Sequence, residues 1–190
     1  MKVLLIRHGE PRYDNVKKHN LVAYLGELTK LGVEQAEKVS RDKRLQGAEI
    51  IVASPFTRAL QTAAIISKNT GIPLTVETAF HEWLEDTTHL ETLDEDYCNL
   101  AYKEFLENDF KRVETNSTRY ESIEQLANRA YPAMQKYVEA GYKKIIVVAH
   151  AMFMRTMGYK EQALPNCHIF EREFDENSKF EGFIPWRNEK

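Results

Sequence analysis

Cysteine is scarce in this chain: among 190 residues only Cys98 and Cys167 occur, far apart and outside any Cys-x-x-Cys spacing. That excludes a disulfide framework and a thiolate metal site, fits a reducing cytoplasm, and leaves both thiols to act as small buried apolar groups. Long apolar runs are lacking too. The longest, Val3 to Ile6 and Ile145 to Ala149, fall far short of the about 20 residues a membrane-spanning helix needs. The N-terminus offers one lysine and four apolar residues before Arg7 and His8, without the apolar core and cleavage site of a secretion signal. Neither charge is in surplus: 26 Lys and Arg against 29 Asp and Glu give a net charge of −3. No broad basic surface therefore steers the chain to nucleic acid or anionic lipid, and any anion it binds must be gripped locally.

What is present describes an ordinary globular protein of one domain, 1–190, with 43% hydrophobic and 29% charged residues. The runs Val3–Ile6 and Ile145–Val148 are too short for helices and too continuous for half-exposed strands, so they read as buried strands of a parallel sheet. Ile50–Ala53 is a third, weaker strand, and Pro73–Val76 a short fourth. Helical spacing runs from Leu31 to Leu45 behind Thr29 as N-cap. It returns from Arg58 to Thr70 with Gly71 as the terminating residue. Two more helices are predicted, Ser122–Ala140 with a kink or restart near Pro132, and Met152–Tyr159. Alternation of this kind predicts an α/β fold with its function at strand C-termini.

Two segments break the rhythm. From His81 to Phe110 there are ten acids and one base, Lys103, which reads as a largely helical acidic excursion within a lid-like insertion of about 81–120. The tail carries Phe170, Phe174, Phe180, Phe183 and Trp186 around Asp175–Ser178 and predicts an edge hairpin packing aromatics onto the core.

Three polar clusters follow apolar strands directly: Arg7-His8-Gly9-Glu10, Ser54-Pro55-Phe56-Thr57-Arg58, and His150. Two guanidiniums offer planar donor forks that match phosphate oxygens, and Gly9 admits close backbone approach. Of two imidazoles beside them, a neutral one can attack phosphorus while the other stabilises its oxygens.

In order along the chain these residues resemble the histidine phosphatase superfamily, the phosphoglycerate mutase-like group. The Arg-His-Gly motif stands as Leu5-Ile6-Arg7-His8-Gly9-Glu10, and Leu28-Thr29-Lys30-Leu31-Gly32 with Gln35 matches a Leu-Thr-x-x-Gly-x-x-Gln helix start. Ser54 to Ala63 matches a Ser-Pro-x-x-Arg-Ala-x-Gln-Thr-Ala block, and Val147-Val148-Ala149-His150 the closing strand and second histidine. The resemblance implies a three-layer αβα sandwich with a mostly parallel central sheet. It implies that His8 becomes phosphorylated while Arg7, Arg58 and His150 hold the phosphoryl group, with no metal and no cofactor. The family's proton donor, a carboxylate shortly after the third strand, corresponds to Glu82, with Glu85 in reserve. Asp14 replaces a common phosphate-contacting Asn, so Asn15 is the substitute contact or none exists. Pro11 replaces a Thr, and Ala151 replaces a Gly, where a methyl group narrows the approach to the ligand.

The implied activity is hydrolysis of a small phosphate ester through a phosphohistidine at His8. Two alternatives keep the pocket: a phosphoglycerate mutase-type transfer, with Lys111, Arg112 and Arg119 as a carboxylate grip, and a catalytically weak phosphate-binding module. A metalloenzyme built from His8, His19, His81, His89, His150 and His168 lacks His-x-x-x-His spacing or a completing carboxylate. If the acidic excursion covers the pocket, its charge disfavours polyanionic substrates. Oligomeric state is not legible.

Overall fold

The computed structural model describes residues 1–13, 22–89 and 93–182. Along the chain run β1 (Lys2–Arg7), β2 (Pro11–Arg12), α1 (Val22–Leu25), β3 (Glu27–Leu28), α2 (Lys30–Val39), β4 (Ile50–Ala53), α3 (Thr57–Thr70) and β5 (Leu74–Val76). They are followed by α4 (Glu95–Glu107), α5 (Ile123–Glu139), β6 (Lys144–Ala149), α6 (Ala151–Thr156) and β7 (Ile169–Glu173). The main sheet has the order β5-β4-β6-β1-β7, its first four strands parallel and β7 antiparallel at the edge.

Alternation along the strands divides the interior into two cores. Leu4, Ile6, Ile51, Ala53, Ile146 and Val148 face Val39 of α2 and Ala59, Ala63 and Ile66 of α3. Val3, Leu5, Val52, Ile145, Val147 and Ala149 face Leu126, Ala130 and Met134 of α5 and Phe153 of α6. With both faces covered, β1 and β6 must be apolar at every central position, which is the continuous run seen in the sequence. Each such Leu, Ile or Val contributes roughly 1.5–3 kcal/mol on burial. The result is the αβα sandwich, and no helix among the described residues is long and apolar enough to cross a membrane.

Thr29 caps α2 as expected, accepting from Gly32 N, and Gly71 ends α3 at φ 74°. Other expectations change. Helix α2 stops at Ser40, and Leu45 belongs to a separate 3-10 turn capped by Asp42. Helix α5 passes through Pro132 unbroken, because that ring lies on the exposed face where the unpaired carbonyl of the preceding turn meets water. Helix α6 ends at Thr156 rather than Tyr159.

The acidic excursion is helical only in α4, while 81–89 forms bends without helix. Its Trp83 packs on Phe105 at 4.9 Å, Phe105 meets Tyr120 at 5.7 Å, and these rings join the α5-side core. Burial of Trp83 overrides the helix propensity of its acidic neighbours. Among the described residues of the tail, to 182, a single strand, β7, stands where a hairpin is predicted. Phe174 is buried against Tyr131 at 5.5 Å, and Phe180 meets the same ring at 6.4 Å. Phe183 and Trp186 lie outside the described residues.

Candidate active site

Because β1, β4 and β6 are parallel and adjacent, the residues that follow them meet at one sheet edge. Arg7 pairs with Ala149 and Ala53 with Val148, so His8, Ser54 and His150 stand side by side. His8 N donates to Ala149 O at 3.0 Å and Ser54 N to Val148 O at 2.9 Å, continuing the ladders past the strand ends. The two imidazoles come to rest 5.1 Å apart between centroids.

His8 is buried, with Nδ1 2.7 Å from Gly9 O. A carbonyl only accepts, so Nδ1 carries the proton and Nε2 keeps its lone pair. Arg58 Nε donates to that lone pair at 3.1 Å. Burial, then the Arg58 charge, lowers the His8 pKa to about 3, so the ring is neutral above the acid range. His150 is fully buried and its Nε2 lies 2.7 Å from Ser54 Oγ. Ser54 Oγ also accepts from Phe56 N at 3.3 Å, and in the tautomer in which it donates to Nε2, His150 presents Nδ1–H. That Nδ1 is buried with no hydrogen-bond partner, and so is Arg7 Nε. Arg7 is oriented through Nη1, which donates to Leu164 O, and Asn166 Nδ2 donates to His8 O at 2.9 Å. Burial lowers the Arg7 pKa from its ordinary value, with Glu82 opposing. Arg58, on the first turn of α3, lies 5.2 Å over the Phe56 ring and 5.9 Å from Tyr13.

The Glu82 carboxylate accepts from Met152 N at 3.1 Å and Phe153 N at 3.2 Å, in the first turn of α6 beside His150, and from Trp83 N at 2.9 Å. Burial raises its pKa above the usual carboxylate range, and these N–H bonds oppose the rise. Glu85 is also raised, to about 7, by burial first and by Glu82 after it. Of these two acids, Glu82 is the one bonded to the first turn of the helix that follows His150. Asp14, Asn15 and His19 lie outside the described residues.

Of the remaining described candidates, His81 borders the site through Phe56, whose ring lies 5.2 Å from that of His150, and the others stand apart. His168 sits edge-on to Tyr159 at 5.3 Å, and the exposed His89 bonds Tyr24 Oη at 2.9 Å. His81 stacks on Phe56 at 5.8 Å with Nδ1 2.7 Å from Glu82 O. Lys111, Arg112 and Arg119 line a separate surface depression with Ser122 and Gln125, and none of His8, Arg58 or His150 lines it. Among the described residues no group of three His, Cys, Asp or Glu side chains is placed to hold a metal ion.

Gly9 is also demanded by packing. A Cβ there would lie 2.5 Å from Gly32 O, and one on Gly32 would lie 2.3 Å from Glu10 O. The missing side chains let α2 meet the β1 loop backbone to backbone. Gln35 Oε1 then accepts from Glu10 N at 2.8 Å, Thr29 Oγ1 donates to Glu10 Oε2 at 2.6 Å, and Thr62 Oγ1 accepts from Gly9 N at 3.0 Å. Gly32→Ala is expected to cost about 1–3 kcal/mol by overpacking, read from urea midpoints. Ala151 opens α6 with its methyl packed against the apolar core. Sequence reasoning missed the pair Arg129 and Glu121, which meets the Glu82 loop and carries no motif.

The model of the histidine phosphatase superfamily (branch 1) matches residues 3–178. No curated protein sequence matches the chain. Among solved structures the fold is similar to Bacillus stearothermophilus YhfR, at TM-score 0.71 and 20% identity over 97% of this chain and 98% of that one. It is similar to a mycobacterial glucosyl-3-phosphoglycerate phosphatase complexed with VO3, at 0.66 and 18% over 90% of each chain. An Escherichia coli protein described as a candidate alpha-ribazole-5′-P phosphatase superposes at 0.61 with 21% identity, over 83% and 77% of the two chains. With the family model spanning nearly the whole chain and the paired histidines at one sheet edge, this protein belongs to the histidine phosphatase superfamily.

Proposed function

We propose that the protein is a phosphomonoesterase that hydrolyses a small phosphate ester through a phosphohistidine at His8, without metal or cofactor. The observation that carries this reading is the pair of buried, unpartnered nitrogens, Arg7 Nε and His150 Nδ1, which is a donor in its Nδ1–H tautomer, beside a neutral imidazole whose unprotonated Nε2 accepts from Arg58 Nε. Buried donors of this kind call for an anion, and the phosphoryl oxygens supply it.

His8 Nε2 attacks phosphorus, the ester P–O bond breaks, and the leaving oxygen takes a proton from Glu82 in its acid form. Arg7, Arg58 and His150 Nδ1–H neutralise charge on the three equatorial oxygens, with Asn15 as a further contact. Water then attacks the phosphohistidine, Glu82 accepts the water's proton, and the departing phosphate restores neutral His8. In this reading 1–190 is one domain, residues 81–120 flank the pocket as its lid and supply Glu82, and the protein works in the cytoplasm away from nucleic acid. The printed names of two structural neighbours, both phosphatases, support hydrolysis over transfer.

The test is phosphate release from phenyl phosphate near pH 6 with chelator present, where steady turnover is expected. Isomerised phosphoglycerate without free phosphate would establish the mutase alternative, and phosphate binding without turnover the binding module. Substrate charge follows from the acidic excursion of 81–110, with its ten acids and one base. O-phosphotyramine, 4-ethylphenyl phosphate and 3-(4-phosphonooxyphenyl)propanoate share a similarly basic phenol and differ in remote charge. Their kcat/KM values are expected to fall in that order, by roughly tenfold from first to last at low salt. Preference for the carboxylate ester would refute the charge argument.

A further inference from the structure

Arg129 projects from α5 to a loop 47 residues earlier in the chain. Its Nη1 donates to the carbonyls of Ala79 and His81, its Nη2 to the carbonyl of Glu82 at 3.1 Å and to Glu121 Oε2 at 2.9 Å. Its Nε donates to Glu121 Oε1 at 2.6 Å. These bonds occupy all five N–H groups of the guanidinium. The pair is largely buried, with 17% and 5% side-chain exposure. Glu121 is itself pinned to the same loop, because its N–H donates to Leu84 O at 2.8 Å and its carbonyl accepts from Trp83 Nε1.

A buried ion pair is a poor source of stability, because desolvation offsets the attraction. This pair does something more specific. Three carbonyls around Glu82, those of Ala79, His81 and Glu82, have no place in the sheet or in a long helix, and one planar fork takes them. Their direction sets where the Glu82 side chain leaves the backbone, and hence its reach to Met152 N and Phe153 N beside His150. The geometry points to Arg129 as a positioning residue for the proton donor: it holds the backbone of 79–82 so that the Glu82 carboxyl faces the leaving oxygen. This inference rests on the reading of Glu82 as the donor.

Lysine keeps the charge and loses the fork, so Arg129→Lys separates the two. A misplaced acid matters most when the leaving alkoxide is strongly basic. In Arg129→Lys and Arg129→Met, kcat/KM for 2-phenylethyl phosphate is expected to fall about 100-fold, against less than about fivefold for 4-nitrophenyl phosphate. Glu82→Gln should show the same ester selectivity, and adding Arg129→Lys to it should cost little more. An equal fall for both esters, or a lowered Tm with the wild-type ester ratio, would overturn the positioning role while leaving Glu82 as donor. Absence of ester selectivity in Glu82→Gln would instead overturn the donor assignment, and the inference with it. Should the Arg129 variants fail to fold, Glu121→Gln weakens the same fork and is expected to move the ester ratio in the same direction; an unchanged ratio there overturns the proposal.

Discussion

His8→Ala is expected to abolish phosphate release, lowering kcat/KM by at least about 10⁴-fold, since no other side chain offers a lone pair in its place. The expectation rests on the tautomer. With Nδ1–H committed to Gly9 O, the reactive Nε2 is fixed in direction and needs no deprotonation. Denaturing quench during turnover should trap an acid-labile phosphoenzyme in the wild type and none in the variant. Wild-type turnover with no trapped phosphoenzyme, or appreciable turnover in the variant, would show that water attacks directly. Stability gives a second readout. The folded pKa of His8, about 3, lies below its unfolded value near 6.5, so within that window the unfolded state binds more protons. Stability contributed by neutral His8 is present above pH 6.5 and lost as pH falls towards 3. The urea midpoint of His8→Ala should therefore decline less steeply with acid than that of the wild type.

Arg58→Met is expected to lower kcat/KM by about 10²–10³-fold, the usual loss when one oriented donor to a developing anion is removed. It should also move the acid side of the pH profile. Burial is the main cause of the depressed His8 pKa and persists in the variant, but the Arg58 charge and its Nε–H bond to Nε2 are gone. The His8 pKa therefore rises part of the way back towards 6.5. Protonated His8 has no lone pair, so the acid limb of kcat/KM shifts to higher pH, while the limb that reports loss of the Glu82 proton remains. A titration of the His8 ring by NMR checks the same quantity without turnover. If that ring titrates in the variant as in the wild type, Arg58 does not tune it.

Much of the molecule was legible in the chain. Three of the four parallel strands could be read because burial on both faces demands uninterrupted aliphatic runs, as in Val3–Ile6 and Ile145–Val148, whereas the half-buried Leu74–Val76 gave only a short, weak run. Arg7, His8, Arg58 and His150 could be read because each ends or directly follows a strand or opens a helix, where chain direction alone carries it to the sheet's C-terminal edge. The helical excursion was misjudged because composition reports propensity. It does not report that Trp83 would be drawn into the core or that the carbonyls of 79–82 would be held from α5.

The sequence by itself determined the family, the αβα layering and the identity of the four groups brought together at the edge, all consequences of local pattern and strand direction. The tertiary structure decided the rest: which nitrogen of His8 is turned to Gly9 O, which nitrogens of Arg7 and His150 are left without partners, and which acid meets the helix that follows His150. It also packed Gly9 against Gly32. Those outcomes depend on where individual carbonyls point and how deeply each group is buried, and residues far apart along the chain set both.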